Sequence, residues 1–259
     1  MKKFITVIIS AAAILSNTPN VLAITNEMYS ADKEALSIVL EQTGDNDIEN
    51  YINENLDVKL QDMSILVTLT ANQNYEQIEE AVSKAVNDGL TAIEIKEAIY
   101  QSASYCGYTR AIKAMDAADK ALISLGIELP SKSRITSTDE TRYNDGLKTQ
   151  RKLFGSQIGT ITDDMSESQK LQTIYLSGIC FGDFYNRTGL DLNTREFLTF
   201  CTIAANGNCL GQLNGHINGN IVVGHSTDML RAAILLNEKY NGKTKTLDAM
   251  AVVNTVSNS

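Results

Sequence analysis

Proline is scarce in this 259-residue chain: Pro19 stands near the N-terminus and Pro130 at mid-length, and there is no other. So little proline, with long runs of 3.6-residue periodicity and almost no alternating segments, points to an all-α chain and away from a sheet. Cysteine is sparse as well, at Cys106, Cys180, Cys201 and Cys209. An even count in an exported protein invites a disulfide reading, but wide spacing and apolar surroundings do not make a disulfide scaffold. One bridge at most is expected, and the spacing names no pair. Positive charge is short: 22 basic against 31 acidic residues leave a formal net charge of −9. Nucleic acid and anionic membrane surfaces select for basic patches, so neither is an expected partner. A membrane-spanning run is missing too, since the apolar stretch from Phe4 to Leu15 falls well short of the ~20 residues a helix needs to cross a bilayer.

That short run has another reading. In MKKFITVIISAAAILSNTPNVLA, two lysines precede the apolar stretch, and Val21-Leu22-Ala23 gives small or apolar residues where a signal peptidase cuts. The expectation is a signal peptide over 1–23, export to the periplasm or the exterior, and no stable membrane insertion after cleavage. Without the first 23 of 259 residues, 236 remain, enough to bury a sizeable core. Loss of Lys2 and Lys3 takes the formal charge from −9 to −11.

Along the mature chain, helical periodicity runs through Leu36, Val39 and Leu40 and breaks at Gly44-Asp45-Asn46. Helices follow over 56–74 and 75–88. Gly89 stops the second, and Thr91 with Glu94 forms a capping-box pattern for a helix over 92–105. A further helix covers 110–125, ended by Gly126 and Pro130. Residues 127–145 are polar and rich in Ser and Thr, and read as a linker between units at 24–126 and 146–259.

A repeat supports the division. Sliding the chain by 134 residues matches Leu56-Asp57 with Leu190-Asp191, Asp62 with Glu196, Thr68 with Thr202 and Asn72 with Asn206. After a one-residue insertion near Cys209 the shift is 135, matching Gln77 with Gln212, Gly89 with Gly224, Tyr105 with Tyr240 and Ala114-Met115 with Ala249-Met250. A shift sustained this far marks a duplicated helical unit.

The chemistry gathers in the second copy, between Leu190 and Gly224. Glu196 lies in a helix on LNTREFLTFCTIAA, with Asn193 or Thr194 as its N-cap and Phe197, Phe200, Cys201 and Ala204 on its apolar face. Cys209 and His216 stand seven residues apart, two helical turns, which predicts that both project from one face. Gly207, Gly211, Gly215 and Gly219 recur every four residues, and interior glycines cost roughly 1 kcal/mol each against alanine, so a closely packed neighbouring backbone is expected along that ridge. In the first copy Ala81 stands opposite His216, Cys209 falls in the gap, and Asp62 replaces Glu196. The first copy is therefore expected to supply packing and one wall of the pocket.

The pattern Arg195-Glu196-x-Leu198, Cys209, Gln212-Leu213-x-x-His216 and Gly224 resembles the carboxymuconolactone decarboxylase family, which also includes alkylhydroperoxidase D. Arg142-Tyr143-Asn144-Asp145-Gly146-Leu147 with Phe154-Gly155, and Phe181 through Leu190, look like the opening of its unit. In the first half, Gly89-Leu90-Thr91, Glu94-Ile95 and Tyr105-x-Gly107 look like the unit's second part. The resemblance implies a duplicated, all-α, alkylhydroperoxidase D-like bundle that assembles as a trimer or hexamer and works without metal or organic cofactor. It departs from the peroxidase branch in one respect: Gln212 stands where that branch has the second cysteine of Cys-x-x-Cys.

Three functions follow as expectations. One is a lyase or decarboxylase acting on a small carboxylated, lactone-like substrate, with His216 and Glu196 as its acid–base system. Arg187 and Arg142 are then candidates to hold the carboxylate, with Gln212 as a further substrate contact. Another is a peroxide reductase with Cys209 as nucleophile, which requires its thiolate. The last is a helical scaffold that keeps the fold without catalysis.

Overall fold

The computed structural model describes residues 44–257. The signal peptide and the periodicity through Leu36, Val39 and Leu40 lie outside the described residues. Among those residues the structure is helical, with one isolated bridge pair, Ile135 and Arg187. The first unit holds α1 (Asp45–Asn55), α2 (Val58–Asn72), a 3-10 turn (Tyr75–Gln77), α3 (Ile78–Asn87), α4 (Ala92–Cys106) and α5 (Tyr108–Ser124). Next come α6 (Arg142–Phe154), α7 (Glu167–Tyr175) and a π-helix (Leu176–Tyr185). The chain ends with α8 (Leu192–Asn206), α9 (Leu210–Val222), α10 (Thr227–Leu236), α11 (Glu238–Asn241) and α12 (Lys243–Ser257).

Local chemistry sets most of these ends. Thr91 and Glu94 form the expected reciprocal capping box at the start of α4. At α8 the cap falls two or three residues earlier than the Asn193 or Thr194 that the sequence suggests: Asp191 accepts the backbone N–H of Thr194, its carboxylate being a strong acceptor for an unsatisfied first-turn donor. Gly44-Asp45-Asn46, read as a break, is where a helix begins: Gly44 is the N-cap of α1, with Asp45 and Asp47 in its first turn, where acidic side chains favour the helix dipole. Residues 142–145, read as the end of a linker, already belong to α6.

The repeat is visible as an approximate twofold arrangement. The 134-residue shift lays α2 onto α8 end for end, and these two helices pack against each other at the centre. Helix α1 packs on α10 of the second unit, and its counterpart, the π-helix, packs on α4 of the first. Each unit thus lends its opening helix to the other. The result is a shared core, in which Leu66, Ile95 and Leu122 meet Phe197, Ile217 and Val252. Helix α8 is buried continuously from Arg195 to Ala205, as a central helix must be.

Helices α6 and α7 brace the π-helix. Where α6 crosses it, a Cβ at Gly146 would overlap the carbonyl oxygen of Ser177, and one at Gly182 would overlap that of Arg142, so only glycine permits this approach.

Candidate active site

Glu196 projects from α8 and His216 from α9, both almost fully buried. His216 Nδ1 lies 2.7 Å from Glu196 Oε1, and Nε2 lies 2.7 Å from the Tyr105 hydroxyl. The second carboxylate oxygen accepts a 2.7 Å hydrogen bond from the Tyr185 hydroxyl. With imidazole neutral, the chain is consistent in one sense: Tyr105 O–H donates to Nε2, Nδ1–H donates to Oε1, and Tyr185 O–H donates to Oε2. Burial, with the negative charge of Glu196 added, holds both tyrosine hydroxyls well above the usual phenol range, so each stays a donor.

The surrounding helices lock this geometry. Asn220 donates to the backbone carbonyls of Glu196 (3.2 Å) and His216 (2.7 Å), fixing α9 against α8. Asn206 donates to the carbonyl of Tyr105 at 2.9 Å. The rings of Tyr105 and Phe154 both stand edge-on to the imidazole, with centroids 5.2 Å away. A Cβ at Gly219 would overlap Glu196 Oε1. The expected glycine ridge is therefore something else: Gly219 makes room for a carboxylate, Gly207 ends α8 at φ +70°, and Gly211 faces nothing within 4 Å.

A small cavity of about 50 Å³ opens on this chain, lined by Tyr105, Gln150, Phe154, Ile158, Gly159, Thr173, Leu176, Phe181, Gln212, Gly215 and His216. It has room for roughly one small functional group, since a water molecule occupies about 30 Å³. Among the described residues no lysine, arginine or cysteine is in its walls.

The structure brings together three of the residues singled out from sequence: Glu196, His216 and Gln212. Cys209 is elsewhere. It is the N-cap of α9 with φ −118° and ψ 43°, so the two-turn spacing that would align it with His216 does not apply. It does not line the cavity, and burial raises its thiol above the ordinary cysteine range. All four cysteines are free, and burial pushes Cys180 up to about 12. Arg187 is committed to Glu97, with two 2.8 Å bonds, and stacks on Tyr100. Arg142 sits near Asp139 and Asp183. Neither arginine reaches the cavity.

Sequence reasoning missed Tyr105, Tyr185, Phe154 and Gln150. The repeat does signal Tyr105, matched by Tyr240, but only the docking of α4 beside the second unit carries it to His216. It missed Glu97 too, which binds Arg187 and the fully buried Arg195 (2.9 Å) and so ties the two units together. Arg195 also donates to Gln101, and Gln101 to Thr199, whose hydroxyl is 2.8 Å from that of Tyr185. A buried polar seam thus runs from the inter-unit ion triad to Glu196.

In the first copy the equivalent place is filled. Asp62, opposite Glu196, holds the ammonium of Lys84 at 2.7 Å, and Lys84 stands opposite Gly219. With Ala81 opposite His216, an ion pair occupies the position of the imidazole–carboxylate pair.

Among the described residues no group of three or more His, Cys, Asp and Glu side chains is arranged to hold a metal ion, and no helix is long and apolar enough to cross a membrane. Fold and site define a duplicated all-α protein with one buried imidazole–carboxylate site. The family model described as the carboxymuconolactone decarboxylase family matches residues 39–120 and 174–255, and the chain belongs to that family. Comparison with curated proteins finds no match.

Proposed function

We infer that this protein is an exported, cofactor-free acid–base catalyst of the lyase or decarboxylase type, acting at His216. The observation that carries the reading is the hydrogen-bonded series Tyr105, His216, Glu196 and Tyr185 opening on a cavity. Burying a carboxylate against an imidazole costs stability that an apolar pair of the same volume would not, and such costs concentrate where protons are moved.

For decarboxylation, heterolysis of the bond to the departing carboxylate releases CO2 and leaves the electron pair in an enolate conjugated with a neighbouring carbonyl. The Tyr105 hydroxyl and the Gln212 amide are the donors for the enolate oxygen. Imidazolium at His216, balanced by Glu196, returns one proton to carbon and recovers one from solvent before the next turnover. A peroxide reductase has less support, since Cys209 lies outside the cavity with a raised thiol. Export rests on the first 23 residues. Assembly as a trimer or hexamer is part of the same reading, supported by exposed apolar side chains such as Ile123 and Val222.

The test is a screen of small β,γ- and α,β-unsaturated lactone acids for CO2 release, with His216→Ala and Tyr105→Phe alongside wild type. A loss of ~10²–10⁴ in turnover is expected for His216→Ala, the usual range for removal of a general acid–base group. Turnover that survives His216→Ala but is abolished by Cys209→Ser would overturn the reading.

A further inference from the structure

Beside the small cavity lies a much larger space. An open groove of about 720 Å³ runs between the α4–α5 junction and the α7–π-helix junction, and its walls include Tyr108, Tyr175, Leu176, Ile179 and Asp183. Its volume is that of a typical small-molecule site, roughly 300–1,000 Å³. Leu176 lines both spaces. Ser104 faces the groove while Tyr105 faces the cavity, and Cys180 faces the groove while Phe181 faces the cavity.

The groove is apolar and exposed: Tyr108, Tyr175 and Ile179 stand 61%, 54% and 40% accessible, high values for side chains of their kind gathered along one groove. Among the described wall residues the only charged one is Asp183, an anion facing Arg142 at 3.4 Å. Leu176 opens the π-helix, at the point where i→i+4 bonding gives way to the wider i→i+5 turn, a rare feature that recurs at functional sites.

We propose that the groove is the substrate's entry and holding site, that Leu176 is the door between groove and cavity, and that the substrate carries a bulky uncharged hydrocarbon group, aliphatic or aromatic, which stays in the groove while its reacting end passes Leu176 to reach Tyr105 and His216. This rests on His216 as the reacting centre and adds the class of substrate. The sharing of Leu176 as a wall residue with the cavity argues for a small molecule as occupant. The carboxylate of Asp183 selects against an anionic tail, and among the described wall residues no lysine or arginine would receive one.

The test needs no turnover, so its outcome is separate from that of the acid–base reading. The neutral aromatic probe 1-N-phenylnaphthylamine is titrated into the purified protein by fluorescence, and carbethoxylation of His216 by diethylpyrocarbonate is followed by peptide mass analysis, with His225 as internal reference. The expected result is saturable binding, weakened ~10-fold or more by Ile179→Asp and unchanged in His216→Ala, as follows when apolar contact dominates affinity. Bound probe slows modification of His216 by ~5-fold or more without affecting His225, Leu176→Ala accelerates it, and Leu176→Trp slows it, as follows if one side chain controls access. Absence of probe binding overturns the proposal, as does His216 labelling indifferent to both probe and Leu176. So does a wild-type oligomer that Ile179→Asp dissociates and whose probe site appears only on dissociation, since the groove would then be a contact between copies.

Discussion

Two glycines on α9 should respond to the same substitution with opposite signs. Replacing Gly211 with alanine adds a methyl group that meets nothing within 4 Å, and relief of the glycine penalty stabilises by roughly 0.5–1 kcal/mol, less so in a first turn. Replacing Gly219 gains the same helix propensity, but its Cβ would overlap Glu196 Oε1 and press on Phe154 Cε1. Glu196 is fully buried, so its carboxylate cannot retreat into water. Moving it breaks the 2.7 Å bonds to His216 and Tyr185, each worth about 1.5–3 kcal/mol as a charge-assisted contact. The net cost after the propensity gain is about 2–5.5 kcal/mol. At ~2–4 °C per kcal/mol for a chain of this size, Tm should fall by roughly 4–22 °C in Gly219→Ala and rise by roughly 1–4 °C in Gly211→Ala. Differential scanning calorimetry on both variants reads this directly, with a histidine-detected NMR spectrum to report the lost Nδ1 contact. A Gly219→Ala protein as stable as wild type, with His216 unperturbed, would refute the close approach on which the site's geometry depends.

Other outcomes follow from the same geometry. Cys209→Ser should leave activity within about twofold of wild type, since no thiolate is called for, and alkylation of Cys209 at pH 7 should be slow, because burial raises its thiol. Tyr51 joins the units by donating to Asp228 at 2.9 Å, and burial with that hydrogen bond raises its hydroxyl from 10.0 to about 12. The fold prefers the phenol, so its stabilisation is complete below pH 10 and is lost as the pH climbs through about 12. Thermal unfolding between these limits should show a steeper alkaline decline in wild type than in Tyr51→Phe, and equal slopes would contradict the assignment.

Much of the fold could be read locally. The capping box at Thr91, the stop at Gly89 and the apolar face of α8 are set by neighbours a few residues apart, and the structure keeps them. The misplaced cap of α8 and the helix that begins at Asp45 are failures of the same local kind, where several residues close in sequence can each start a helix. For the site, Glu196, Gln212 and His216 were legible because a family pattern and helix spacing pick them out. Cys209 passed the same filter and does not line the cavity, since helical spacing holds only inside a helix and it lies one residue before one.

By itself, then, the sequence determined the all-α composition, the duplication, and which copy keeps the imidazole and the longer carboxylate, because each depends on residue identity and short-range periodicity. Only the tertiary structure decided what surrounds them. The 111 residues between Tyr105 and His216 are closed by the packing of α4 beside the second unit. Arg187 and Arg195 are drawn away from the cavity by Glu97, about 90 residues off in sequence. No local pattern encodes such meetings, since they are fixed by how two helical units with a common ancestor bury their apolar faces against each other.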